Sequence, residues 1–123
     1  MSGSPTVLVV DAANVVGSRP DGWWRDRRGA NERLRDALVG VAERGVAGLA
    51  PPLSVVLIVE GAARGIDSVP DVEVVSAPAS GDDRIVEFVR DSSGECVVVT
   101  ADRELRSRVE ALGARVLGPQ SVR

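Results

Sequence analysis

The sequence predicts an α/β protein, a three-layer α/β/α sandwich around a mostly parallel central sheet. Two observations carry that prediction. Apolar runs rich in β-branched residues, at 7–10, 53–59 and 96–99, are hydrophobic without alternation, as strands buried on both faces of a parallel sheet are. Between them lie segments of helical periodicity, and strands alternating with helices fold through right-handed crossovers into a parallel sheet. With 123 residues, 44% hydrophobic and 27% charged, the chain reads as one domain over 1–123 with an ordered core from about 7 to 117.

Taken in order, residues 7–10 form a strand that runs directly into Asp11. An acid therefore stands at the carboxyl end of a central strand, where open parallel sheets place their ligand crevice. Asn14 follows on the turn after it. Residues 18–26 hold Pro20 and Asp21-Gly22 and read as a loop. A helix fits 27–43, with Leu34, Ala37, Leu38, Val41 and Ala42 at helical spacing and Gly45 and Gly48 beyond its end. Pro51-Pro52 leads into the strand at 53–59, topped by Glu60. A loop with a short helical turn at 61–70 precedes a shorter strand at 72–75, whose Glu73 marks an exposed edge.

The next helix starts at Ser80 or Asp82 and runs to Arg90, with Ile85, Val86 and Val89 facing the core, and Ser92-Ser93-Gly94 stops it. The strand at 96–99 delivers Thr100-Ala101-Asp102. A helix then runs through Leu112, with Leu105, Val109 and Leu112 on one face and Gly113 past its end. A last strand at 115–117 precedes a loose tail.

Composition excludes several classes. The single Cys96 lies inside an apolar run and reads as a small core residue, without an internal disulfide partner. Residues 1–6 carry no basic stretch and the apolar run after them is four residues long, so signal-peptide and transmembrane readings fail; a cytoplasmic chain with no membrane partner is expected. A net charge of -3 argues against broad electrostatic adhesion to nucleic acid. All 15 cationic side chains are Arg, which favours forked contacts to phosphate. The absence of His excludes His-dependent ribonuclease mechanisms.

The acids need a closer reading. Asp102 and Asp82 suit helix N-caps, and Asp83 suits the positive end of a helix dipole. Asp11 is harder to explain structurally, because an ionised carboxylate after four buried residues is expensive unless paired or metal-bound. In a parallel sheet Asp11, Glu60 and Asp102 share one rim, with Asp82 and Asp83 close by. Several carboxylates on one rim repel each other unless a cation relieves them, and hard oxygen donors suit Mg²⁺ or Mn²⁺. Beyond Asp11, Trp23 and Trp24 stand among Arg19, Arg25, Arg27 and Arg28, a combination suited to stacking and gripping a single strand of RNA. At least one of the two Trp is expected to be exposed.

Three blocks in order, Val-Leu-Val-Val-Asp-Ala-Ala-Asn-Val-Val-Gly, Ser-Gly-Asp-Asp-Arg-Ile and Val-Val-Val-Thr-Ala-Asp-Arg-Glu-Leu-Arg, make the chain similar to the NYN domains of the YacP-like group, a branch of the PIN-like nucleases. The resemblance runs from about Val7 to Leu117. It implies a PIN-like sandwich and a divalent-metal-dependent, endonucleolytic ribonuclease. It places Asp11, Asn14, Asp82, Asp83 and Asp102 at active-site positions, and Glu60 where relatives often end a strand in Asp. Asp11, Glu60, Asp82, Asp83 and Asp102 are then the metal-ligand candidates. The alternative is an RNA-binding module of the same fold without turnover, and metal-dependent cleavage of unstructured RNA separates the two.

Overall fold

The computed structural model describes residues 6–122. Its sheet holds β1 (Val7–Asp11), β2 (Ser54–Val59), β3 (Val72–Ser76), β4 (Cys96–Val99) and β5 (Arg115–Leu117) in the order β3-β2-β1-β4-β5. Every adjacent pair is parallel, so the expected mostly parallel sheet is wholly parallel. β1 sits at the centre. The chain winds outward from it to β2 and β3, then returns to its other side for β4 and β5. This reversal lies between β1 and β4, and the crevice at their carboxyl ends is where such sheets bind ligands.

Strand periodicity assigns the two faces. Leu8 and Val10 of β1, Val55 and Leu57 of β2, and Val97 and Val99 of β4 pack against α1 (Ala12–Gly17) and α2 (Arg27–Arg44). The alternate residues Val9, Val56, Ile58, Cys96 and Val98 pack against Ile85 and Val89 of α3 (Gly81–Asp91) and Leu105 and Val109 of α4 (Arg103–Glu110). The result is the three-layer sandwich, with Cys96 buried as a core residue. Asp26 caps α2 by accepting from the Gly29 N–H at 3.0 Å, and Gly45 ends that helix at φ 80°, a conformation that suits a residue without Cβ. β3 lies at one edge with Glu73 exposed, as its composition predicts. No helix among the described residues is long and apolar enough to cross a membrane.

Three local expectations are corrected. Asn14 stands inside α1 rather than on a turn, because Asp11 caps a short helix that Val15 and Val16 anchor in the core. Leu112 does not continue the inward face of α4. That helix ends at Glu110, and Leu112, in the turn that Gly113 closes at φ 92°, is 45% exposed. The tail is not loose where described: Pro119–Val122 forms a 3-10 turn whose Val122 joins the core beside α1 and α2. A single apolar side chain with a complementary hollow is enough to anchor a short segment.

Candidate active site

The centre of the rim is a buried carboxylate. Asp11 ends β1 on the same strand face as Val9, toward α3 and α4, and is only 3% exposed. Val10 of β1 pairs with Val99 of β4, so the next residue on each strand, Asp11 and Thr100, meet across the chain reversal. Thr100 Oγ1 donates to Asp11 Oδ2 at 2.9 Å and accepts from the Asp102 N–H at 3.1 Å. Asn14 completes the link from the other side: its N–H donates to Asp11 Oδ1 at 3.4 Å, while its Oδ1 accepts from the Ala101 N–H at 2.8 Å. The ends of β1 and β4 are thus tied together by side chains from both.

The remaining acids come from neighbouring elements. Asp102 caps α4, accepting from the Leu105 N–H at 2.9 Å, and this ordinary structural role occupies one of its two oxygens. Glu60, just past β2, accepts from the Gly81 N–H at 3.1 Å at the start of α3. A Cβ at Gly81 would collide with Glu60 Oε1, so the close approach requires glycine there. Asp83 is paired with Arg108 Nη2 at 3.0 Å. Asp82 accepts no hydrogen bond and forms no salt bridge among the described residues.

Electrostatics shows which acids sense one another. Burial, the largest influence, pushes the Asp11 carboxyl from 3.8 up to about 6; hydrogen bonds from Thr100 and Asn14 oppose it, and the charges of Asp82 and Glu60 add to it. Asp82 is also raised, first by desolvation and then by Asp102 and Glu60, with Arg108 opposing. Asp11, Glu60, Asp82 and Asp102 therefore share one field at the carboxyl ends of β1, β2 and β4, while Asp83 turns to Arg108. Among the described residues no three His, Cys, Asp or Glu side chains are already gathered around one point as a metal cage. Thr100 and Arg108 were not singled out from the sequence. A Thr directly after the β4 apolar run was the available signal for the first; the second required the packing of α3 on α4.

The tryptophan loop lies beside this rim. Trp24 is 49% exposed and Trp23 packs partly against the core, the two rings meeting edge to face at 5.8 Å. The Arg27 guanidinium lies 5.3 Å from the Trp23 centroid and that of Arg25 lies 6.0 Å from the Trp24 centroid. Arg28 is held by backbone, donating to the carbonyls of Arg64 at 3.0 Å and Gly65 at 3.3 Å. Arg19 lies elsewhere, in a groove with Arg33 and Arg44 on the outer side of α2.

This architecture has been seen before. The structure of Rae1 (YacP) from Bacillus subtilis superposes with a TM-score of 0.72 at 18% identity, covering 94% of this chain and 70% of that one. A tryptophan-to-leucine mutant of the same protein gives a TM-score of 0.74 at 17% identity, with the same coverage. The chain has a YacP-like fold. The YacP-like fold expected from the three sequence blocks is thus found in three dimensions. No protein-family profile matches the sequence, and no curated protein matches it either.

Proposed function

We propose that the chain is a divalent-metal-dependent ribonuclease that hydrolyses phosphodiester bonds within single-stranded RNA. The observation that carries this reading is Asp11: a carboxylate 3% exposed at the sheet's ligand crevice, crowded by the charges of Asp82 and Glu60, with no Arg paired to it. Natural chains rarely bear such a cost without a cation to relieve it. The donors fit Mg²⁺ or Mn²⁺ in kind, since all are hard carboxylate oxygens, and Asp82 is uncommitted.

Asp11, Asp82 and the second oxygen of Asp102 would hold the cation, with Glu60 and Asp83 joining by releasing Gly81 and Arg108. A cation bound there polarises the scissile phosphate and lowers the pKa of an attacking water. The protein's own contribution is orientation. Thr100 and Asn14 fix the Asp11 carboxylate, and the exposed Trp24 with Arg25 offers a stacking face for the strand.

End-labelled unstructured RNA incubated with Mg²⁺ or Mn²⁺ should be cut internally by the wild type and left intact by Asp11→Asn. One observation favours a second reading, an RNA-binding module without turnover: no three acids are already gathered around a point, and Asp83 is neutralised by Arg108. RNA retained on the protein but uncut under every metal condition would select it.

A further inference from the structure

A small cavity of about 160 Å³ opens between α1, the 3-10 turn at Trp23–Arg25, α2 and the turn after β2. Its walls include Ala13, Trp23, Arg27, Asn31, Glu60 and Gly61. Glu60 belongs both to this cavity and to the acid rim, where its charge acts on Asp11 and Asp82, so the two are adjacent. The cavity also contains an unmet demand. Asn31 is 6% exposed; its Nδ2 donates to the Arg27 carbonyl at 2.7 Å, yet its Oδ1 is shielded from solvent and has no partner among the described residues.

That pattern defines a ligand. The bond to Arg27 fixes which half of the amide is the nitrogen, leaving an acceptor for the cavity to satisfy, and a buried acceptor without a donor is unusual enough to require an explanation. The occupant must therefore bring an N–H or O–H. A cavity of ~150 Å³ holds one six-membered ring, so a two-ring base is too large. The Trp23 indole provides an aromatic wall and the small side chains of Ala13, Gly61, Ala62 and Ala63 leave the space.

We propose that this cavity receives a cytosine base of the RNA strand, its exocyclic amino group donating to Asn31 Oδ1. Uracil offers a carbonyl oxygen at the same ring position and would face Asn31 Oδ1 with two acceptors and no proton. The pocket lies next to the rim through Glu60, so a base seated in it sets which phosphate of the strand reaches the acids. This inference rests on the ribonuclease reading for its consequence, but not for its test.

The test uses nucleosides, which carry no phosphate and need no metal. The ¹⁵N-labelled full chain is titrated with cytidine, uridine and adenosine while the Asn31 side-chain amide and the Trp23 indole N–H are followed by NMR. Cytidine should shift both signals saturably, with an affinity at least tenfold above that of uridine or adenosine. Asn31→Leu, which removes the unpaired acceptor without opening a void, and Ala13→Leu, which fills the cavity mouth from an exposed helix position, should fold and lose the response. Equal responses to cytidine and uridine, tighter binding of adenosine, no response at all, or a response unchanged in Ala13→Leu would each overturn the pocket. The ribonuclease reading is tested separately: cleavage by a chain that ignores cytidine removes only the pocket, and cytidine binding by a chain that never cleaves removes only the enzyme.

Discussion

Thr100 Oγ1 donates to Asp11 Oδ2 at 2.9 Å across the point where the winding of the sheet reverses, joining the first residue after β4 to the last residue of β1. Both side chains are buried. This bond is the largest influence holding the Asp11 carboxyl down against the burial that raises it. Because the same hydroxyl oxygen accepts from the Asp102 N–H, one side chain positions two acids of the rim.

Thr100→Val keeps the shape of the side chain and removes the hydroxyl. At neutral pH it leaves Asp11 ionised, buried and short of a donor, which should cost ~1 to 3 kcal/mol. The cost should shrink in acid, where Asp11 is protonated. Urea unfolding at both pH values, with an NMR titration of the Asp11 carboxyl, checks this; the titration midpoint should move above its wild-type position.

The pH dependence of stability has a defined sign. The Asp11 carboxyl titrates at about 6 in the folded chain against 3.8 ordinarily, so across that window the folded state holds a proton that the unfolded state has lost. Its contribution is fully present below the unfolded value and is lost as pH rises through the folded one. The loss amounts to ~3 kcal/mol at most. Asp82, shifted in the same direction, adds to the slope. Unfolding free energy should therefore fall between about pH 4 and about pH 7, and Asp11→Asn should flatten most of that fall. Identical slopes in the two proteins would remove Asp11 as its source.

The two tryptophans should separate stability from binding. Trp24 is half exposed, so Trp24→Ala should leave the melting temperature nearly unchanged while weakening single-stranded RNA binding by several-fold or more, stacking being worth ~1 to 3 kcal/mol. Trp23 packs on the core and over Gly17, so Trp23→Ala should destabilise the fold by ~1 to 3 kcal/mol. Thermal melts and fluorescence anisotropy with a labelled oligonucleotide measure both. Unchanged RNA affinity in folded Trp24→Ala would exclude the exposed ring from binding.

Much of this arrangement was legible in the chain. The strands were readable because doubly buried parallel strands produce unbroken apolar runs, and the position of Asp11 followed from where its run ended. The elements missed were those that long-range packing decides. α1 contains adjacent Val residues and ends on Gly, a poor helix by composition, and it forms because Val15 and Val16 reach the core and Asp11 caps it. Val122 seats in a hollow that exists only once α1 and α2 have packed. At the site, the convergence of the acids could be deduced from strand direction, but their partners could not. Nothing in the spacing of Asp83 and Arg108, or of Thr100 and Asp11, announces that the pairs will touch.

The central claim is that the rim around Asp11 is built for a cation, and thermal melts of wild type and Asp11→Asn, each with and without Mn²⁺, test it most directly. Neutralising Asp11 relieves burial and repulsion, so at neutral pH the metal-free variant should be as stable as wild type or more so. Wild type should gain stability with Mn²⁺, ~2.7 kcal/mol at a hundredfold excess over the dissociation constant, and the variant should gain much less. A variant destabilised by ~1 to 3 kcal/mol, as loss of a satisfied buried acceptor would produce, together with a wild type whose melting ignores Mn²⁺, would contradict the account.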